Sequence, residues 1–258
     1  MMHEELDTTA RRQEIVRLLM QNGKVRVNDL AKRFSISEVT IRNDLTILEH
    51  EGFLERIHGG AVSTRRAYYN MSISERALAN EAEKRRIAAR TAALVSDGET
   101  LLINSGTTTL YVAQALKERN NLTVLTNSLP IAQEMGYHAA TRVILLGGNL
   151  DSRYQYTYGD HTLYLINQYR ADKLILSVDG VSAEDGASTY HHLERSVDMA
   201  MLERAGEAII AADYNKIGRV SFATVCPVSR IHTLVTNKGA NADELAAIAD
   251  CGVEILEA

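Results

Sequence analysis

Two sets of side chains in this sequence have the types and spacing for recognition chemistry, and they lie far apart in the chain. The first is Ser37-Glu38-Val39-Thr40-Ile41-Arg42-Asn43-Asp44-Leu45. Ser37, Thr40, Arg42 and Asn43 place hydroxyl, guanidinium and amide groups within about two turns of a helix. Such groups hydrogen-bond base edges and phosphates. The second is a series of short polar runs: Asn104-Ser105-Gly106-Thr107-Thr108-Thr109, Thr126-Asn127-Ser128, Gly147-Gly148-Asn149, Asp179-Gly180, Gly186-Ala187-Ser188-Thr189 and Asp213-Tyr214-Asn215-Lys216-Ile217-Gly218. Glycine admits close backbone approach, Asn and Thr supply directional hydrogen bonds, and Lys216 supplies positive charge. A small-residue loop entering a helix, as at 104–109, suits a phosphate. A threonine-capped helix after a tight turn explains that one loop as well, and agreement among all the runs is what favours a polyol phosphate.

The first set needs a helix held by neighbours. Ser37 is a good N-cap, with Thr40 where a full capping box has Glu or Gln. Ile41, Leu45 and Leu48 recur at helical spacing, leaving Thr40, Asn43 and Ile47 on the opposite face and Arg42 on the flank. Upstream, Ile15, Leu18 and Leu19 stripe a helix over 8–22 that Gly23 ends, and Val27, Leu30, Ala31 and Phe34 mark a second short helix. Downstream, Gly52 breaks the third helix, and 53–61 reads as a strand, a glycine turn and a returning edge carrying Arg56 and His58. Three helices and a small hairpin make a winged helix-turn-helix, whose third helix enters the major groove by its N-terminal end. Arg56 and His58 are then expected on backbone or in the minor groove.

The second set needs a sheet. A helix is expected over 74–95, with Ile87, Ala88, Thr91, Ala92 and Val95 on one side. Apolar runs follow at 101–103, 122–125, 143–146, 174–176, 208–211, 233–235 and 253–256. Helical segments fit between most of them, at 108–118, 129–138, 161–169, 192–205 and 242–250. Nearly continuous apolar strands belong to a sheet covered on both faces, so the body is an α/β, Rossmann-like, mainly parallel fold. In such sheets ligands bind beyond the carboxyl ends of the strands, where the polar runs stand. The expected domains are 1–62 for the winged head, 63–80 for a linker and 81–258 for the body. Arg65 and Arg66 in the linker either touch DNA backbone or are solvated.

The 258 residues, 45% of them hydrophobic, suffice for two cores. The net charge of −5 is unevenly spread: 8–66 hold 11 Lys and Arg against 7 Asp and Glu, while 67–258 hold 17 against 23. Phosphate affinity is therefore expected in the head, and two heads on a palindromic site strengthen it. Cys226 and Cys251 are far apart and suit a reduced cytoplasmic protein; no Cys-x-x-Cys or spaced His cluster supports a metal site. The opening residues are acidic and polar rather than signal-like. No apolar run reaches the roughly 20 residues of a span, so no membrane association is expected.

Arg11, Ile15, Leu19, Ser37 and Thr40-Ile41-Arg42-Asn43-Asp44-Leu45, with Glu49-His50-Glu51-Gly52 and Arg56-Ile57-His58-Gly59-Gly60-Ala61, resemble the DeoR (deoxyribonucleoside repressor) family of bacterial transcription regulators. The family's Asp-Ser-Gly-Thr-Thr stands here as Asn104-Ser105-Gly106-Thr107-Thr108. Its Asp-x-Ser-Lys-Phe-Gly stands as Asp213-Tyr214-Asn215-Lys216-Ile217-Gly218. The resemblance implies a DNA-binding regulator, expected to repress a carbohydrate catabolic operon, with activation as the open alternative. It implies double-stranded operator DNA as one partner, a homodimer or homotetramer, no cofactor, and a phosphorylated sugar as effector. The effector domain would resemble ribose-5-phosphate isomerase and the amino-sugar phosphate isomerases. The sites implied are Ser37, Thr40, Arg42, Asn43, Arg56 and His58 for DNA. For effector they are Asn104, Ser105, Gly106, Thr107, Thr108, Thr126, Asn127, Gly147, Gly148, Asp179, Gly180, Thr189 and Lys216. Tyr190 and His191, where the family commonly has Pro and Asn or Asp, and the Tyr-rich 154–158 are departures. The alternative is a sugar-phosphate isomerase-like enzyme with an accessory DNA-binding head, in which Asp179, Glu194 and Lys216 supply base and electrophile. A structural adaptor ranks last.

Overall fold

The structure, a computed structural model, describes residues 8–62 and 72–258. The chain divides into two compact units, residues 1–80 and 81–258. The first contains α1 (Thr8–Asn22), β1 (Lys24–Arg26), α2 (Val27–Phe34), α3 (Glu38–His50), β2 (Glu55–Ile57), β3 (Gly60–Val62) and, after residues 63–71, α4 (Ile73–Leu78). Ile15, Leu19, Leu30, Ile41, Leu45 and Leu48 meet in one core, so the stripes read from the sequence are its inner faces. Gly23 at φ +70 and Gly52 at φ +81 end α1 and α3 in conformations that glycine adopts freely. The wing is larger than the expected hairpin: β1 adds a third antiparallel strand in the order β1-β3-β2. A Cβ at Gly60 would stand 2.0 Å from the Val25 carbonyl oxygen, so the β1–β3 contact itself requires glycine.

The single helix expected over 74–95 is two. Ser72 caps α4 reciprocally with Glu75, Ala79 is extended, and Asn80 takes φ +52. Asn tolerates the left-handed region better than other non-glycine residues, so the break falls there. Its successor α5 (Glu81–Ala92) buries Ile87, Ala88, Thr91 and Ala92, the face read from the sequence. Residues 63–71, with Arg65 and Arg66, lie outside the described residues.

The body continues with β4 (Thr100–Ile103), α6 (Thr107–Ala115), β5 (Thr123–Thr126), α7 (Leu129–Gly136) and β6 (Arg142–Leu145). A hairpin, β7 (Asn149–Asp151) and β8 (Tyr156–Tyr158), precedes α8 (Asp160–Asn167) and β9 (Ala171–Leu176). Then come β10 (Gly180–Ser182), β11 (Gly186–Thr189), α9 (His192–Arg204), β12 (Ala205–Ala211), β13 (Ala223–Cys226), β14 (Thr233–Thr236), α10 (Ala242–Asp250) and β15 (Glu254–Glu257). The seven apolar runs form one sheet in the order β15-β14-β12-β9-β4-β5-β6, every pairing parallel. Parallel strands need crossover connections, and most of the helices supply them. Two smaller sheets were not legible beforehand: the β7–β8 hairpin and the antiparallel β10-β11-β13. Their strands are only three or four residues long, which leaves no periodicity to read, and β11 finds β13 from far along the chain.

Among the described residues, no helix is long and apolar enough to cross a membrane, and no three His, Cys, Asp or Glu side chains are placed to hold a metal ion.

Candidate nucleic-acid and effector sites

In the head, Ser37 Oγ accepts from the Thr40 backbone N–H at 3.1 Å and shares a 2.8 Å hydrogen bond with the Thr40 hydroxyl. Thr40 thus joins the cap without the carboxylate or carboxamide of a full capping box. Asn43 and Arg42 are exposed, and Arg42 reaches back one turn to Glu38 at 2.6 Å. In the wing, Arg56 donates to the Thr46 hydroxyl at 2.9 Å and its backbone N–H to Glu49 at 2.8 Å, which ties the wing to α3; His58 is exposed. One anchor escaped the sequence reading. Asp44 is buried on α3 and bound by both Arg11, at 2.8 Å, and Arg12, at 2.9 Å. Two of the head's cations therefore fasten α1 to α3 instead of facing outward.

In the body, Asn104 lies just past β4 and is fully buried. Its amide spans two strand ends, donating to the Ser177 carbonyl at 3.0 Å while its oxygen accepts the Ser177 N–H at 2.8 Å. The same amide donates to Asp198 of α9 at 3.0 Å. Gly106 is the N-cap of α6 and offers no side chain to the helix end, which leaves the first-turn N–H groups without a side-chain cap. Ser105, Thr107 and Thr108 are buried around that end. A Cβ at Gly106 would fall 2.5 Å from Ser177 Cβ, so the close approach of the two loops depends on glycine.

Asp179 and Lys216 meet at 3.2 Å, both buried. A 3-10 turn over Tyr214–Lys216, capped by Asp213, turns the lysine inward. The other Asp179 oxygen accepts from the Tyr190 N–H at 3.0 Å and the Thr189 hydroxyl at 3.4 Å. The single Thr189 hydroxyl proton is shared with Glu194, whose carboxylate lies 3.3 Å away. These bonds join the loop after β9, the end of β11, the first turn of α9 and the 3-10 turn, and the Lys216 ammonium is engaged by a carboxylate within the protein. Gly180 sits tightly beneath them, its Cβ position 2.4 Å from the Arg219 carbonyl oxygen.

The remaining expected residues are placed differently. Thr126 ends β5, paired with Ile103 of β4, and Asn127 follows it, so they neighbour the Asn104 loop. Thr126 Oγ1 accepts from the Ser128 N–H, and Asn127 donates to the Thr157 carbonyl at 3.0 Å, which holds the β7–β8 hairpin. Gly147 accepts from the Thr162 hydroxyl at 2.8 Å, and Gly148 at φ +155 packs against the same side chain. These glycines brace the hairpin and α8.

The sequence reading missed Asp198, although its spacing with Val197, Met201 and Leu202 puts it on the buried face of α9. Burial, then the Glu194 carboxylate one turn earlier, push its carboxyl well above the usual carboxylate range, against the pull of the Asn104 hydrogen bond. Burial first, then Glu194, likewise push the Tyr156 phenol above the ordinary tyrosine range.

Known proteins match both units. The DeoR-like helix-turn-helix domain matches residues 11–67, and the DeoR C terminal sensor domain matches residues 79–238. A protein of Escherichia coli O157:H7 named for transcriptional repression of the aga operon is 32% identical over 251 residues, covering 96% of this chain and 93% of the relative. Transcriptional repressor AccR of Agrobacterium fabrum is 33% identical over 233 residues, 90% of each chain. The glycerol-3-phosphate regulon repressor of Escherichia coli K12 is 32% identical over 229 residues, 89% of this chain and 90% of that one. Among solved structures, ribose 5 phosphate isomerase A from Neisseria gonorrhoeae overlaps 52% of each chain at 15% identity and a TM-score of 0.40. With a matched DNA-binding domain, a matched sensor domain and relatives alike over nearly their whole length, this chain belongs to the DeoR family of transcriptional regulators.

Proposed function

We propose that the protein represses a carbohydrate catabolic operon and that a phosphorylated sugar, bound beyond the carboxyl ends of the parallel sheet, relieves that repression. Ser37, Thr40, Arg42 and Asn43 read base edges or adjacent phosphates of double-stranded operator DNA, with Arg56 and His58 of the wing on the backbone. The effector's phosphate sits at the start of α6 against Ser105, Gly106, Thr107 and Thr108. Its carbon skeleton extends toward Asp179, Thr189 and Lys216. The observation that carries this reading is the buried first turn of α6, whose N–H groups lack a side-chain cap and whose dipole favours an anion. Thr126, Asn127, Gly147, Gly148 and Gly180 support the loops around it. The active form is a homodimer or homotetramer in the cytoplasm, with domains at 1–62 and 81–258. It carries no cofactor and turns over no substrate.

A ligand releases DNA only by binding the DNA-incompetent arrangement more tightly. The test is a fluorescence-anisotropy titration of the protein on its own promoter at fixed salt, with and without sugar phosphates. Specific binding abolished by one compound establishes the repressor and identifies its inducer. Absence of specific binding at moderate salt sinks the reading. Turnover of ribose 5-phosphate or glucosamine 6-phosphate by the purified protein would instead support the isomerase.

A further inference from the structure

Three rings stand beside the carboxylates of the effector site, and neither the head nor the phosphate cradle uses them. Tyr154 lies on the turn of the β7–β8 hairpin, where Asp151 Oδ1 accepts the Arg153 and Tyr154 N–H groups at 3.0 and 2.9 Å. The Gln155 carbonyl accepts from Leu129 N–H at 2.9 Å, which anchors that turn at the carboxyl end of β5. His191 is the N-cap residue of α9, 37 positions further along the chain. The two elements nonetheless meet ring to ring, with Tyr154 and His191 centroids 4.3 Å apart at 53°. Tyr190 meets His191 edge-on at 5.2 Å.

The trio is rooted in the polar cluster, because the Tyr190 N–H is one of the hydrogen bonds to Asp179. Tyr154 is 7% exposed and Tyr190 41% exposed, so the wall has a fixed base and an open rim. Core packing alone does not call for an open tyrosine ring beside carboxylates. A sugar ring has the complementary surface: hydroxyls around its edge, which carboxylates accept, and a patch of C–H groups on its face, which an aromatic ring covers. Pockets for such ligands combine apolar or aromatic walls with a few fixed polar groups.

We infer that Tyr154, His191 and Tyr190 set the effector's class by stacking on the C–H face of a closed sugar ring, so that the site takes cyclic sugar phosphates in preference to the matching open-chain alditol phosphates. This rests on the sugar-phosphate reading of the same site. An alditol phosphate has the same carbons and phosphate, carries one further hydroxyl in place of the ring oxygen, and lacks the rigid face.

The full-length protein is titrated calorimetrically with two matched pairs, glucose 6-phosphate against glucitol 6-phosphate and fructose 6-phosphate against mannitol 6-phosphate, and with glycerol 3-phosphate and inorganic phosphate. The expected result is a ring preference of roughly fivefold or more in at least one pair, the size of one or two aromatic contacts. Tyr190→Ala and His191→Ala should each cut that ratio to about twofold, within the low end of an aromatic contact, and leave inorganic phosphate binding unchanged. Tyr190→Phe, which keeps the ring, should retain the preference. Equal affinities within both pairs, a preference that survives Tyr190→Ala and His191→Ala, or binding of glycerol 3-phosphate or inorganic phosphate alone would overturn the inference and leave the phosphate site standing. No binding by any of the six compounds would refute the sugar-phosphate reading as well. If an alanine variant fails to fold, the wild-type ratios and Tyr190→Phe still decide.

Discussion

Asn104 donates its side-chain amide to Asp198 over 3.0 Å, joining the loop after the first strand of the body to the helix that carries Glu194. Resemblance to the family implies Asp at position 104. An aspartate there has no proton to donate, and would bring a further negative charge to a carboxyl already pushed upward by burial and by Glu194. The amide and the buried acid suit one another.

That acid makes stability depend on pH. Asp198 has a folded-state pKa above its unfolded value, so between the two the native state holds more protons and stability falls as pH rises. Asp198→Asn keeps the acceptor for Asn104 and abolishes the titration. Its melting temperature relative to the wild type should therefore increase with pH. A gain of about 2–4 °C at pH 8 corresponds to roughly 1 kcal/mol in a domain of this size, and little gain is expected near pH 4. Calorimetry across that range checks the slope; a difference independent of pH would remove Asp198 as its source.

Lys216 and Asp179 form a buried pair, so removing one partner strands the other. Lys216→Ala should destabilise the body by about 3 kcal/mol or more. The double variant Asp179→Asn/Lys216→Met should recover most of that loss in urea denaturation while losing the response to effector. A double variant that is induced normally would argue that the pair is a structural element outside the ligand's reach.

Arg42 is exposed and paired with Glu38 across one turn, an arrangement worth only about 0.3–0.5 kcal/mol. Arg42→Ala should leave folding intact and weaken operator binding about tenfold, as expected for loss of one base or phosphate contact of 1–3 kcal/mol. Glu38→Ala frees the guanidinium and deletes a negative charge, and should bind as tightly as the wild type or tighter. Anisotropy titrations at one salt concentration compare the three proteins. Unchanged affinity in Arg42→Ala would take the residue out of the interface.

Gly147 and Gly148 are adjacent but not equivalent. A Cβ at Gly148 would meet the Thr162 hydroxyl at 2.1 Å and the Tyr158 carbonyl oxygen at 2.6 Å, on a backbone at φ +155; at Gly147 the nearest atom is 4.0 Å away. Gly148→Ala should cost about 2 kcal/mol or more and Gly147→Ala less than about 0.5. Equal melting temperatures would show that Thr162 and the hairpin yield without cost.

The local devices were legible in the sequence because each depends on near neighbours. Ser37 caps α3, Gly23 and Gly52 end helices, and Ile41, Leu45 and Leu48 face one core. The seven apolar runs became the seven parallel strands because continuous burial on both faces leaves a compositional mark. Contacts between distant segments left no such mark. Asp44 stands at helical spacing with Ile41 and Leu48 on the inner face of α3, yet nothing local showed that Arg11 and Arg12 would converge on it, and Asn80 reads as an ordinary helical residue until its backbone turns left-handed. Tertiary structure alone decided that Lys216 would be held by Asp179, that Asn104 would reach Asp198, and that Tyr154 and His191, 37 positions apart, would meet ring to ring. Periodicity and capping report a residue's relation to a helix or strand, whereas a site is set by which strand ends the sheet order makes adjacent.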